Sequence, residues 1–102
     1  MDVTADLHVH TTYSDGALSP YELIRKAKGA GLEIISITDH DSVGAIDEAI
    51  AIGKEFGLEV IPGMELSANI DQLEFHILGY FMDYHSKSLL ETLAVFREKR
   101  LR

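Results

Sequence analysis

Six side chains set the chemistry open to this chain: His8, His10, Asp15, His40, Glu65 and His76. His8 and His10 close the first apolar run, which begins at Val3, with one residue between them. A strand alternates its faces with a period of two, so Asp6, His8 and His10 point the same way. Two imidazoles on one face at a strand end can grip one cation. Asp15 follows in the next loop, and His40, Glu65 and His76 each come just after a later apolar run. Imidazoles and carboxylates without sulfur suit zinc, manganese or iron. A carboxylate such as Glu65 can bridge two ions and hold them at the short separation a two-metal hydrolase needs.

Each of these residues also admits a plainer role. The His8–His10 pair could be a hydrogen-bonded strand end. His40, between Asp39 and Asp41, could belong to a helix-capping cluster. Glu65, next to a Pro-Gly bend, could be a solvent-facing acid, His76 a core histidine, and Asp15-Gly16 a turn. Tyr13 reads as a loop aromatic rather than an acid catalyst, and His85, in a polar stretch, takes no role. What favours the cation reading is that the candidates recur at successive strand ends, where parallel α/β folds gather their functional groups.

The elements that must position these groups follow from pattern. Thr11 to Gly16 is rich in turn formers. Ser19-Pro20-Tyr21-Glu22 predicts a helix start, with Ser19 as cap, Pro20 in the first helical position and Glu22 completing a capping box. Leu23, Ile24, Ala27 and Ala30 form an apolar stripe at helical spacing, and Gly31 stops it. Ile34 to Ile37 predicts a second strand. Asp41 or Ser42 is the expected cap of a second helix, with Asp47 and Glu48 near its positive end and Ile46, Ala49, Ile50 and Gly53 facing inward. Gly57 stops that helix, and Val60 to Leu66 predicts a third strand, bent or interrupted at Pro62-Gly63. Gly31-Leu32-Glu33-Ile34-Ile35 is echoed by Gly57-Leu58-Glu59-Val60-Ile61, the mark of repeated βαβ crossovers and a parallel sheet. No helix separates Leu66–Asn69 from Leu73–Phe81, so these runs predict an antiparallel hairpin turning at Ile70-Asp71-Gln72. Ser86 is expected to cap a last helix with Leu89, Leu90, Leu93, Val95 and Phe96 on its apolar side.

The chain has 102 residues, enough for one domain, and its 46% hydrophobic content fits a globular protein. It contains no cysteine, so disulfides and thiolate metal sites are excluded. A net charge of −8 disfavours simple binding to duplex nucleic acid. Three divalent cations would bring about six positive charges and invert that field locally. No apolar run reaches the length of a membrane span. The acidic N-terminus does not resemble a signal peptide, and a cytoplasmic location is the default expectation. The last helical pattern runs through Arg97 to Arg102 without a stop signal, which reads as truncation.

The motifs resemble a known family. Asp6-Leu7-His8-Val9-His10-Thr11-Thr12-Tyr13-Ser14-Asp15-Gly16 resembles the first motif of the PHP family, the polymerase and histidinol phosphatase domains, and Thr38-Asp39-His40-Asp41 resembles its second. Gly63-Met64-Glu65-Leu66-Ser67 and His76-Ile77-Leu78-Gly79-Tyr80 are similar to the next two stretches. The order and spacing match along the whole chain, nearest to stand-alone members that act on nucleotides and short RNA. The resemblance implies an α/β fold: part of a distorted, TIM-like seven-stranded barrel, with about three βα units, a β-hairpin and a C-terminal helix. It implies a site for up to three divalent ions (zinc, manganese or iron). His8, His10 and Glu65 would hold one, Glu65 and His76 a second, Asp15 and His40 a third. A hydroxide generated there would attack phosphorus, with no further catalytic residue.

This sequence lacks the family's later ligands, a His-Pro histidine and a terminal Asp-x-His pair. A full barrel needs roughly 250 residues. Residues 1–102 therefore read as the N-terminal part of a PHP domain, with an incomplete site and no expected activity alone. The implied function is hydrolysis of phosphate esters in nucleotides, nucleoside bisphosphates or short RNA. The alternatives are a non-catalytic metal-binding or assembly module that self-associates through open sheet edges, or the PHP domain of a bacterial replicative DNA polymerase.

Overall fold

The computed structural model describes residues 4–100, so Val3, Leu101 and Arg102 lie outside the described residues. Strand β1 spans Ala5–Val9, helix α1 Pro20–Gly29, strand β2 Ile34–Ile37, helix α2 Ile46–Phe56 and strand β3 Glu59–Val60. The chain continues as strand β4, Gly63–Ile70, strand β5, Leu73–Tyr80, and helix α3, Lys87–Arg100. The first three strands form a parallel sheet in the order β1-β2-β3, while β4 and β5 form a separate antiparallel pair. The sheet of the described residues is open, so the expected β/α architecture is present without barrel closure.

Local chemistry explains most boundaries. Ser19 and Glu22 form the predicted capping box at the start of α1. At its end Gly31 has φ of +87°, and Gly31 N–H and Leu32 N–H donate to the Lys28 and Ala27 carbonyls, a Schellman closure. Gly57 closes α2 with φ of +70°. The echoed segments after these two glycines then pair in parallel, one position out of step with the echo, Ile34 with Glu59 and Ile35 with Val60.

Some expectations change. Neither Asp41 nor Ser42 caps α2, whose cap is Ala45 with no side-chain bond. Both side chains are engaged elsewhere: Asp41 accepts from Ser67 N–H at 2.9 Å and Ser42 from Gly44 N–H at 3.2 Å. The third strand is two strands, because the chain leaves the parallel sheet at Ile61-Pro62. Glu65 consequently sits inside β4 rather than at a strand end, and His76 lies mid-β5. The hairpin turn is two residues, Asp71 and Gln72, with φ of +52° and +67°, the left-handed pair that matches strand twist. β5 stops at Tyr80, since Phe81 has φ of +59°. Ser86 Oγ accepts from Leu89 N–H at the start of α3, but Leu90 and Val95 are exposed and only Leu93 is fully buried. Ala30 is likewise exposed.

Two apolar clusters hold this arrangement. Ile24 and Ala27 of α1 and Ala45 and Ala49 of α2 pack on Ile35, Ile37 and Leu58. Val43, Ile46, Met64 and Leu93 join α2 and α3 to β4. None of the described helices is long and apolar enough to cross a membrane.

Gly63 marks where β4 passes the end of β2. A Cβ there would lie 2.3 Å from Ser36 Oγ and 2.9 Å from Thr38 Cγ2. Gly63→Ala is expected to destabilise the chain by about 1–3 kcal/mol through overpacking. A urea midpoint equal to wild type would contradict this close approach.

Candidate metal centre

The six candidate side chains come from three strands and from the segments that follow β1 and β2, and the structure brings all of them to one rim. His8 lies in β1 and His10 just past its end, consistent with their expected shared face. Asp15 lies in the loop before α1. His40 follows β2 and forms a parallel bridge with Glu65 of β4. His76 in β5 stands opposite Ser67, two residues from Glu65.

The Glu65 carboxylate is the hub. It is 3% exposed. Its Oε1 lies 2.6 Å from His8 Nε2 and 3.1 Å from His10 Nε2. Its Oε2 contacts His76 Nδ1 and lies 3.4 Å from His40 Nδ1. Asp15 occupies the far side, with Oδ1 at 2.7 Å from His10 Nδ1 and Oδ2 at 3.1 Å from His40 Nε2. Neighbouring rings stand 5.3 Å (His8–His10), 4.5 Å (His10–His40) and 5.4 Å (His40–His76) apart between centroids.

His10 and His40 each direct one ring nitrogen at Glu65 and the other at Asp15. A neutral imidazole has one donor and one lone pair, so it cannot donate to two carboxylates. Two such rings between the same two acids need extra positive charge, from protons or from cations. This donor chemistry fits divalent metal. Among the described residues, three groups have ligand atoms within 4.8 Å of one another: His8–His10–Glu65, His10–Asp15–His40 and His40–Glu65–His76. Compared with the motif assignment, geometry adds His10 to the Asp15–His40 pair and His40 to the Glu65–His76 pair.

The remaining scaffold was not legible as part of the site. Asp41, with φ of +49°, donates its N–H to the Glu65 carbonyl at 2.8 Å. Its own carbonyl accepts from Arg97 Nη1 of α3 at 2.6 Å. Tyr80 Oη donates to the Leu7 carbonyl at 2.6 Å and so ties β5 to β1. Among the sequence signals only the paired aspartates around His40 hinted at such roles. His85 contacts Asp47 at 2.7 Å and Tyr13 contacts Glu48 at 3.2 Å; neither is in the three groups.

Burial alone would raise the Glu65 pKa. Hydrogen bonds from His76, His8 and His10, with the charge of His40, outweigh it and bring the value from 4.5 down to about 2. The hydrogen bond with Glu65 raises His76 above 6.5, against the opposing effect of burial. Stability from the depressed Glu65 is fully present above 4.5 and is lost as pH falls toward 2. Stability from the raised His76 is present below 6.5 and is lost as pH rises through its raised value. In chelator, the wild-type urea midpoint is expected to decline on both sides of this window. Glu65→Gln should flatten the acid limb and His76→Ala the alkaline limb; limbs identical to wild type would refute the assignment.

Comparison with known proteins places the chain in a family. The PHP domain family matches residues 6–99. The chain is 44% identical over 98 residues to a 5'-3' exoribonuclease of Haemophilus influenzae, covering 93% of this chain and 36% of that protein. It is 36% identical over 96 residues to a 3',5'-nucleoside bisphosphate phosphatase of Chromobacterium violaceum, covering 94% and 34%. The solved structure of an amidohydrolase from Chromobacterium violaceum, with bound sulfate and no metal, matches with a TM-score of 0.90 at 35% identity, covering 97% of this chain and 35% of that one. The chain therefore spans about a third of the length of these relatives. With the family profile covering nearly every described residue, the chain belongs to the PHP domain family.

Proposed function

We propose that residues 1–102 are the N-terminal part of a PHP domain whose whole closes into a distorted seven-stranded barrel, and that this domain hydrolyses phosphate esters of nucleotides, nucleoside bisphosphates or short RNA in the cytoplasm. The observation that carries the reading is the buried Glu65 carboxylate shared among four imidazoles, with Asp15 across from it. His8, His10 and Glu65 would hold one cation, Glu65 and His76 a second, and Asp15 and His40 a third, so that each neutral imidazole gives its one lone pair to one ion. Zinc, manganese and iron all suit this donor set. Such cations supply Lewis-acid stabilisation of phosphoryl oxygens and activation of water near neutral pH.

The chain's own residues set the direction of approach. Glu65 and His40 are buried at the floor, while the side chains of His8, Asp15 and His76 are 53%, 60% and 42% exposed. A phosphate ester therefore meets the site from the His8–Asp15–His76 side. A chain of net charge −8 repels an anionic ester until positive charge is held at this rim. The test is release of inorganic phosphate from a 3',5'-nucleoside bisphosphate with manganese. In the whole domain Glu65→Ala is expected to lower the rate by about 100-fold or more, the loss of several kcal/mol of transition-state stabilisation. No turnover above a His8→Ala control would refute activity of this chain.

A second reading, an assembly module, has its own observation. Leu73, Phe75 and Ile77 alternate along one face of β5 and are 63%, 45% and 60% exposed. An apolar sheet face of this kind marks a contact surface. Light scattering should then report an oligomer, and a strictly monomeric species would exclude self-association.

A further inference from the structure

We propose that Asp39 is a positioning residue, whose buried carboxylate fixes the loop that presents Asp15 to His10 and His40. The proposal rests on the cation reading of the site, but the ordering of the loop stands on its own contacts.

Asp39 is 1% exposed and is absent from all three groups of converging ligand atoms. Its carboxylate is engaged by the segment that follows His10. Oδ1 accepts from Thr11 N–H at 2.6 Å and from Ser14 Oγ at 2.8 Å. Oδ2 accepts from Thr11 Oγ1 at 2.7 Å. Bonds this short to a carboxylate are the charge-assisted kind, and they offset the cost of burying it.

Thr11 carries that anchor into the rest of the loop. Its carbonyl accepts from Ser14 N–H at 3.1 Å and from Gly16 N–H at 2.8 Å, and its Oγ1 accepts from Tyr13 N–H at 3.1 Å. Asp15 lies between the two anchored amides. Its side chain is 60% exposed, so packing does not hold it in place. Its reach to His10 Nδ1 and His40 Nε2 is set by the backbone, and the backbone is set by Asp39. Residue 39 thus indexes the carboxylate on one side of His40, from a position next to His40 in sequence.

The roles of positioning residue and cation-facing charge are separable. In Asp39→Asn the amide oxygen can still accept from Thr11 N–H and Ser14 Oγ, while the NH2 donates to Thr11 Oγ1. Asp39→Ala removes every acceptor. The experiment reads amide hydrogen exchange in chelator and manganese binding by calorimetry, on the full chain. With Asp39→Ala, exchange at Ser14 and Gly16 should speed up and one class of manganese sites should weaken about 10- to 100-fold, as for other groups that orient a ligand. Asp39→Asn should restore most of both. Should Asp39→Ala fail to fold, Ser14→Ala removes one of the three bonds and should produce smaller changes of the same kind. Unchanged exchange in these variants would overturn the proposal. Asp39→Asn as damaging as Asp39→Ala would also overturn it, in favour of a direct role for the charge. If the wild-type chain takes up no manganese, the cation reading fails, and the exchange arm still decides the role of Asp39 in the loop.

Discussion

The arrangement turns on one unfavourable act, the removal of the Glu65 carboxylate from water. An isolated buried carboxylate is costly enough that it normally takes up a proton. Here imidazoles on both sides keep it ionised. That requirement dictates the architecture around it. The four imidazoles must arrive from more than one segment, because one strand end offers room for two at most. The parallel sheet supplies His8, His10 and His40, and the hairpin supplies the carboxylate and His76.

The hairpin can do so only because the third strand breaks. Had Glu59 to Leu66 continued in the parallel sheet, Glu65 would have run past the strand ends. The Ile61-Pro62 step frees β4, and Gly63 lets it cross against Ser36 and Thr38. Backbone bonds then dock it: Glu65 N–H donates to the Asp39 carbonyl at 3.0 Å, and Asp41 N–H donates to the Glu65 carbonyl at 2.8 Å. The Asp39-His40-Asp41 triplet is thus structural on either side of a site residue, with Asp41 holding the strand that bears Glu65.

Much of this was legible in the sequence because it is local. The Ser19–Glu22 box, the Gly31 and Gly57 stops and the repeated strand starts depend on neighbouring residues, and the structure has them. The six converging side chains were legible from residue type and motif, though Glu65 and His76 lie within strands and not at the strand ends expected of them. What stayed hidden depends on contacts far along the chain. The expected Asp41 cap was replaced by a bond to Ser67, 26 positions away. The apolar side of α3 was read too broadly, because which residues it buries depends on where Val43, Ile46 and Met64 sit. The described residues form an open three-stranded sheet and a hairpin, and no closed barrel is seen among them.

The separation of the two halves of the Glu65 contact also carries a cost in time. His8 and Glu65 are 57 positions apart. At a synthesis rate of about 5–20 residues per second, roughly 3 to 11 s pass between the emergence of the first and the second from a ribosome. Through that interval His8 waits for its native carboxylate, while His10 already has Asp15 within reach. A chain that makes its shared acid after three of the imidazoles leaves them open to whatever ions the surrounding fluid offers first.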